Sequence, residues 1–177
     1  NNVAHVYREL GKYDQALQML MNCLADAGTR GDKQAKGWLL KSIAEVEKDL
    51  ERYAEAFHDF TRAHEILAGL GMRYGEGLVL NHLGEVTWHL GDEAGAFDYY
   101  KQALNVLRPL QYEAAIGRVL RNYADLYRDQ GKYTQAIENY KAAIIELDAG
   151  LVERELSQVY NSIGELYLAT STYDSAE

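Results

Sequence analysis

The sequence contains one cysteine, Cys23, and one proline in 177 residues. A lone cysteine closes no internal disulfide, so no disulfide framework holds the chain together, and this usage fits a reducing compartment. With proline so scarce and alanine, leucine, glutamate and tyrosine abundant, little interrupts helices. No apolar run approaches the roughly twenty residues that a membrane-spanning helix needs. Positive charge is also in short supply: 18 Lys and Arg stand against 27 Asp and Glu, a formal net charge of −9. Nucleic acids and anionic membranes bind clustered Lys and Arg, so neither is expected as a partner. The opening residues Asn1-Asn2-Val3-Ala4-His5 lack the basic and apolar regions of a signal peptide. Together these absences predict a cytoplasmic protein.

What the sequence does have is a repeat. An alanine recurs at Ala16, Ala56, Ala96, Ala136 and Ala176, each step being 56 − 16 = 40 residues. A small residue keeps the same register at Ala4, Ala44, Gly84, Ala124 and Gly164. It follows a branched or aromatic residue at Val3, Ile43, Leu83, Tyr123 and Ile163. An aromatic recurs at Tyr13, Tyr53, Tyr133 and Tyr173, with Glu93 the exception. Large residues fill Leu20, Phe60, Tyr100 and Tyr140, followed by small ones at Cys23, Ala63, Ala103 and Ala143. Cys23 is therefore expected to be a small packed hydrophobe.

Within a unit the spacing is helical. Val119, Leu120, Tyr123, Ala124 and Tyr127 mark one helix face in steps of three and four. Gly131 interrupts, and Tyr133, Ala136, Ile137, Tyr140, Ala143 and Ile144 mark a second helix. Gly11, Gly91 and Gly131 suit the left-handed residue beyond a helix end. Each unit is thus two antiparallel helices. One hairpin cannot bury its own apolar face, so the hairpins must stack. The predicted helices span 34–50, 53–68, 73–90, 93–108, 113–130 and 133–148.

The runs Leu83-Gly84, Gly91-Asp92, Ala96, Tyr100, Ala103-Leu104 and Gly131-Lys132-Tyr133, Ala136, Tyr140, Ala143 resemble the tetratricopeptide repeat. The period exceeds that repeat's usual length of about 34 residues. With Leu80-Asn81-His82-Leu83-Gly84 it is similar to the longer-unit subgroup of kinesin light chains, the Leu-Gly-Asn repeat protein, and bacterial Rap- and maltose-activator-type regulators. The resemblance implies an all-α, right-handed solenoid of stacked hairpins, with residues 1–177 as one solenoid. Its units are 1–32, 33–72, 73–112, 113–152 and 153–177, the first and last partial. The register predicts that the chain opens inside a first helix and stops just into the second helix of the fifth unit, a piece of a longer array.

The resemblance also implies a protein-binding scaffold that uses a concave groove lined by the first helices. One groove column reads Asn1, Lys41, Asn81, Arg121, Asn161, and the next reads Asn2, Ser42, His82, Asn122, Ser162. Asparagine carries a donor and an acceptor, so it can pair with an extended peptide backbone. A third column is acidic: Glu45, Glu85, Asp125 and Glu165, after His5. Arg8, Lys48 and Arg128 follow three residues after His5, Glu45 and Asp125, a spacing that predicts same-helix ion pairs. Acids left unpaired would favour a ligand bearing Lys or Arg. Trp88 replaces the cation in that column and is a candidate apolar anchor. The expected groove is Asn81, His82, Glu85, Trp88, Arg121, Asn122, Asp125 and Asn161.

The pattern with which some tetratricopeptide domains grip C-terminal carboxylates finds two matches at most on Lys41, Glu45, His82, Arg118 and Asn122, and Glu45 would repel a carboxylate. His82, Glu85 and His89 share a helix face but lack second-helix metal partners, and no Gly-rich phosphate loop follows a strand. No catalytic residue, metal or cofactor is expected. The partner is a protein or extended peptide, and self-association through uncapped terminal hairpins is a further expectation. A second reading makes the chain a sensory or regulatory segment attached to a kinase, a cyclic-dinucleotide enzyme or a transcription activator.

Overall fold

The computed structural model describes residues 2–150 and 152–174, so Asn1 and Ala176 of the repeat columns, and the side chains of Asn2 and Tyr173, lie outside the described residues. The described chain is helical, without strands: α1 (Asn2–Glu9), α2 (Tyr13–Thr29), α3 (Lys33–Asp49), α4 (Tyr53–Gly69), α5 (Arg73–His89), α6 (Glu93–Leu107), α7 (Glu113–Asp129), α8 (Tyr133–Ala149) and α9 (Glu153–Asp174). The six helices predicted in detail are found within a residue at each end. The single proline sits in a 3₁₀ turn, Arg108–Leu110, after α6. Among the described residues no helix is long and apolar enough to cross a membrane. The helix pairs and their 40-residue register make the fold an all-α helical-repeat solenoid.

Turn chemistry sets the hairpins. Gly11, Gly31, Gly71, Gly91 and Gly131 all have φ between 65° and 88°, where a side chain is strained. At Gly131 the helix ends with Gly131 N–H donating to the Arg128 carbonyl and Lys132 N–H to the Tyr127 carbonyl, both at 2.9 Å. This double closure satisfies carbonyls that the helix leaves open. Glu51 and Gln111 adopt the same left-handed region at φ 59° and 55° without being glycine. Asp32 and Asp92 cap the following helices by accepting from Ala35 N–H and Gly95 N–H at 2.9 Å. Position 171, in register with Gly131, is Ser171, and α9 runs on through it to Asp174 rather than turning.

The chain divides into two compact units, Asn1–Ala103 and Leu104–Glu177. In the first, Ala16, Ala56, Ala96, Phe60, Tyr100, Ala63 and Ala103 are wholly buried. The small column faces the large one within a hairpin: a Cβ on Gly84 would lie 2.4 Å from the Tyr100 ring. Trp38, without a role in the sequence, lies over Gly75, where a Cβ would meet its ring at 3.0 Å. In the second unit Ala124, Ala136, Tyr140, Ala143 and Leu147 form the corresponding core.

One packing expectation fails. Cys23 is exposed, whereas its counterparts Ala63, Ala103 and Ala143 are wholly buried. It borders a hollow of about 500 Å³ with Asp26, Arg30, Trp38 and Leu39. The first halves of α3 and α7 cover the second halves of α4 and α8, Gly117 lying against Ala143 and Leu147, whereas α1 starts at Asn2 and has no described turn opposite Cys23.

Candidate functional site

In the first unit the outward polar columns of α1, α3 and α5 form one connected network. Arg8 on α1 reaches both Glu45, at 3.2 Å, and Asp49, at 3.0 Å, on α3. Lys41 donates to Glu45 one turn along its own helix. His82 on α5 presents Nε2 to Glu45 at 3.2 Å and Nδ1 to Glu85 at 2.8 Å. Lys48 crosses from α3 to Glu85 at 2.8 Å. The imidazole lies parallel over Phe60, with centroids 5.0 Å apart, so its plane is fixed from below. Burial alone would raise both carboxyls. The hydrogen bond and charge of His82, with Lys41 at Glu45 and Lys48 at Glu85, instead hold both well below the usual carboxylate range. Beside this network lies a hollow of about 210 Å³ between α1 and α3, bordered by His5, Arg8, Lys41, Ser42 and Glu45.

In the second unit the same columns are wired differently. Asp125 accepts a short hydrogen bond from the Tyr140 hydroxyl and pairs with Arg128 at 3.0 Å on its own helix. Burial pushes the Asp125 carboxyl up, against the Tyr140 hydrogen bond and the charges of Arg128 and Arg121. Burial and that same bond push the Tyr140 phenol up as well. Arg118 grips Glu155 on α9 at 2.9 Å. Arg121 donates to the Asn122 amide oxygen through Nη2 at 3.0 Å and Nε at 3.3 Å, and to Gln158 on α9 through Nη1 at 2.8 Å.

The predicted site residues thus fall into two groups. His82 and Glu85 are joined directly, and Asn81 beside them is buried at 8% exposure. Arg121 and Asn122 are joined, with Asn122 buried at 4% exposure, while Asn161 is exposed. The two buried asparagines therefore belong to the packing of the face as much as to its surface. Trp88 is half-buried and stacks on His89 at 5.5 Å, which stacks in turn on Tyr53 at 4.4 Å. That stack carries His89 away from the His82–Glu85 pair, and among the described residues no cluster of three or more His, Cys, Asp or Glu is arranged to hold a metal.

The expected same-helix ion pairs form only at Asp125–Arg128. Arg8 and Lys48 instead take the acid of the next hairpin, because the stacked helices bring Glu45 and Glu85 within reach. Glu45, Glu85 and Asp125 are all engaged, so the premise for a ligand rich in Lys and Arg is removed there. Sequence reasoning missed Tyr140 as a partner of Asp125, and the cross-helix pair Arg118–Glu155. The signal for the first was a hydroxyl in a column that holds Leu20 and Phe60 in the first two hairpins and Tyr100 in the third.

The tetratricopeptide repeat profile matches residues 1–69, 37–108 and 75–144. No curated protein matches the chain. Among solved structures, BtubC (BKLC) from P. vanneervenii superposes with a TM-score of 0.80 at 20% identity, over 98% of this chain and 72% of that one. The signal transduction ATPase with numerous domains from Pyrococcus horikoshii, which carries a tetratricopeptide repeat sensor, gives 0.78 at 23% identity. That match covers 95% of this chain and 26% of the ATPase. A kinesin light chain-type protein of nearly identical repeats from Podospora anserina gives 0.68 at 12% identity, over 96% and 93% of the two chains. At these identities the likeness speaks to the fold, and the profile covers well over half of the sequence: the chain belongs to the tetratricopeptide repeat family.

Proposed function

We propose that the chain is a non-enzymatic scaffold that holds an extended segment of a partner protein against the polar faces of its first helices. Tetratricopeptide repeats are generally protein-interaction scaffolds. The observation that carries the reading here is the hollow between α1 and α3, which is large enough for one side chain and bordered by donors and acceptors already fixed by neighbouring groups. Preordered groups lose little rotamer freedom when a ligand arrives, so more of their hydrogen-bond energy appears as affinity.

The test is to select peptides from a displayed random library against the whole chain and then measure the winners against two variants. His5→Trp fills the mouth of the hollow from an exposed position and is expected to weaken binding at least about tenfold. Lys141→Ala, on the exposed side of α8, is expected to change nothing. The reverse pattern would place the interface on the second helices and end this reading.

A second reading, a sensory segment of a larger signalling protein, is favoured by the likeness to the sensor-bearing ATPase. Sequencing the coding region on both sides of the chain separates the two, since an adjoining nucleotide-binding or other output domain would support the sensor.

A further inference from the structure

Both ring nitrogens of His82 face a carboxylate, and the two carboxylates stand on different helices. Nε2 lies 3.2 Å from Glu45 Oε1 on α3, and Nδ1 lies 2.8 Å from Glu85 Oε2 one turn along α5. A neutral imidazole carries one N–H, so either tautomer donates to one acid and turns a lone pair toward the other. Only the imidazolium donates to both. The plane of the ring is held by Phe60, which it overlies in parallel with centroids 5.0 Å apart.

Charged groups reach this contact from several helices. Arg8 of α1 takes the second oxygen of Glu45 and also pairs with Asp49. From α3 come Lys41 on Glu45 and Lys48 on Glu85. α4 presents the uncharged Phe60, and the Tyr100 ring of α6 lies against Gly84. Burial raises Glu45 and Glu85, but His82 and the two lysines hold both carboxyls well below the usual range. Both therefore stay ionised where an imidazole ordinarily changes charge, between pH 5 and 8. Glu47 of α3 also titrates near neutrality, against Asp59, Glu55, Arg52 and His58, none of which belongs to this network.

The arrangement is particular to one joint of the repeat. The column of His82 holds Ser42 before it and Asn122 and Ser162 after it, side chains with no proton-dependent charge. Glu45 stands at the position of Asp125, which Tyr140 satisfies from its own hairpin. Phe60, at the Tyr140 position, has no hydroxyl, and Glu45 takes a donor from the next hairpin instead.

We infer that His82 is a proton-operated latch between α3 and α5. Charged, it ties Glu45 to Glu85 across the two helices. Neutral, it keeps Glu85 and releases Glu45. Glu85 is kept because its contact is the shorter and lies within one helix, where the backbone holds both partners. Glu45 is free to let go because Arg8 and Lys41 remain on it. Lys48 still spans the two helices to Glu85, so the joint loosens without parting. The latch belongs to the free chain and stands whatever partner binds the scaffold.

The ring nitrogens of the isotopically labelled, unmodified chain are followed by NMR from pH 5 to pH 9, the His82 signals being assigned by their proximity to the Phe60 ring. At pH 5 both nitrogens should carry protons. At pH 9 the remaining proton should sit on Nδ1, toward Glu85, the reverse of the tautomer that free histidine prefers. In parallel, urea unfolding of His82→Gln, Glu45→Gln, Glu85→Gln and the two double variants gives the coupling of position 82 to each acid. His5, beside Glu45 at the α1–α3 hollow, and Glu47 are present in every variant and cancel. Coupling between positions 82 and 45 is expected to change the unfolding constant about fivefold at pH 5 and less than about twofold at pH 9. Coupling between 82 and 85 should persist at both. The inference is overturned by an 82–45 coupling equal at the two pH values, or by loss of the 82–85 coupling in its place. A neutral ring at pH 5, or a proton on Nε2 at pH 9, overturns it on the unmodified chain alone, even where a variant fails to fold.

Discussion

The hairpins α3–α4 and α7–α8 are the same design executed with different side chains, and their differences isolate what each residue does. Their small columns, their 17-residue helices and their buried alanines coincide. Their charges do not. Lys41, Glu45 and Lys48 correspond to Arg121, Asp125 and Arg128, yet Glu45 is gripped by groups from α1, α3 and α5 while Asp125 is gripped by its own hairpin. Backbone packing is therefore set by residue size at fixed positions, whereas charge pairing is decided by whichever donor lies nearest. The same solenoid can wire one column across three helices in one unit and within a single hairpin in another.

The largest expected effect is at the close approach inside each hairpin. A Cβ on Gly117 would lie 2.6 Å from Leu147 Cγ and 3.2 Å from the Ala143 carbonyl oxygen, which cannot move without the helix. A Cβ on Gly37 would meet only side-chain atoms, Leu67 Cδ2 at 2.9 Å, Leu67 Cγ at 3.0 Å and Ile66 Cγ2 at 3.1 Å, which can give way without moving the helix backbone. Alanine also brings a helix-propensity gain of about 1 kcal/mol at either site. Gly117→Ala is expected to cost about 2 kcal/mol net and Gly37→Ala to stay near neutral, as read from urea midpoints. Equal costs would mean that the two hairpins are packed alike and that this contrast is unfounded.

The turns sharpen the comparison at a smaller scale. Glu51 and Gly131 hold the same left-handed position with the same pair of closing hydrogen bonds. Glu51→Gly should relieve strain and stabilise by about 1 kcal/mol, and Gly131→Ala should lose a similar amount. Thermal melts of both variants check the pair. A destabilised Glu51→Gly would show that the extra backbone freedom of glycine in the unfolded chain outweighs the strain.

The hairpins, their ends and their buried columns were legible in the sequence because they depend on local periodicity and on size, which a 40-residue register repeats. The site was legible only as a list of columns. Lys48 ignores Glu45, three residues away, for Glu85, 37 residues away, a choice set by helix stacking. Asn81 and Asn122 share columns with Lys41 and Ser42 but are more deeply buried, so their removal would cost stability as well as any contact to a ligand. Cys23 keeps its column without the cover that Ala63 and Ala143 receive from the first halves of α3 and α7, since α1 starts at Asn2.

The smallest expected effect concerns pH, and at this position of the repeat it falls in α3–α4 and not in α7–α8. Glu47 Oε2 is buried without a hydrogen-bond partner among the described residues, and its counterpart in α7 is Tyr127, which carries no carboxyl. Burial, then the charges of Asp59 and Glu55, push the Glu47 carboxyl up to about 7 from its ordinary 4.5. A raised carboxyl favours the protonated form in the folded state. Its contribution is therefore intact below 4.5, declines as pH rises toward 7, and stays lost above that. Glu45 and Glu85, held below the usual range, act in the opposite sense and withdraw their support as pH falls below 4.5. The two effects oppose each other as pH changes. Because Glu47 is partly exposed, solvent screening limits the gain, and Glu47→Gln should raise Tm at pH 8 by about 2 °C. At pH 4 the variant should melt with the unmodified chain, since both then carry a neutral group at position 47. An equal gain at both pH values would trace the effect to packing of the amide, and the acidic pocket around Glu47 would no longer distinguish this hairpin from α7–α8.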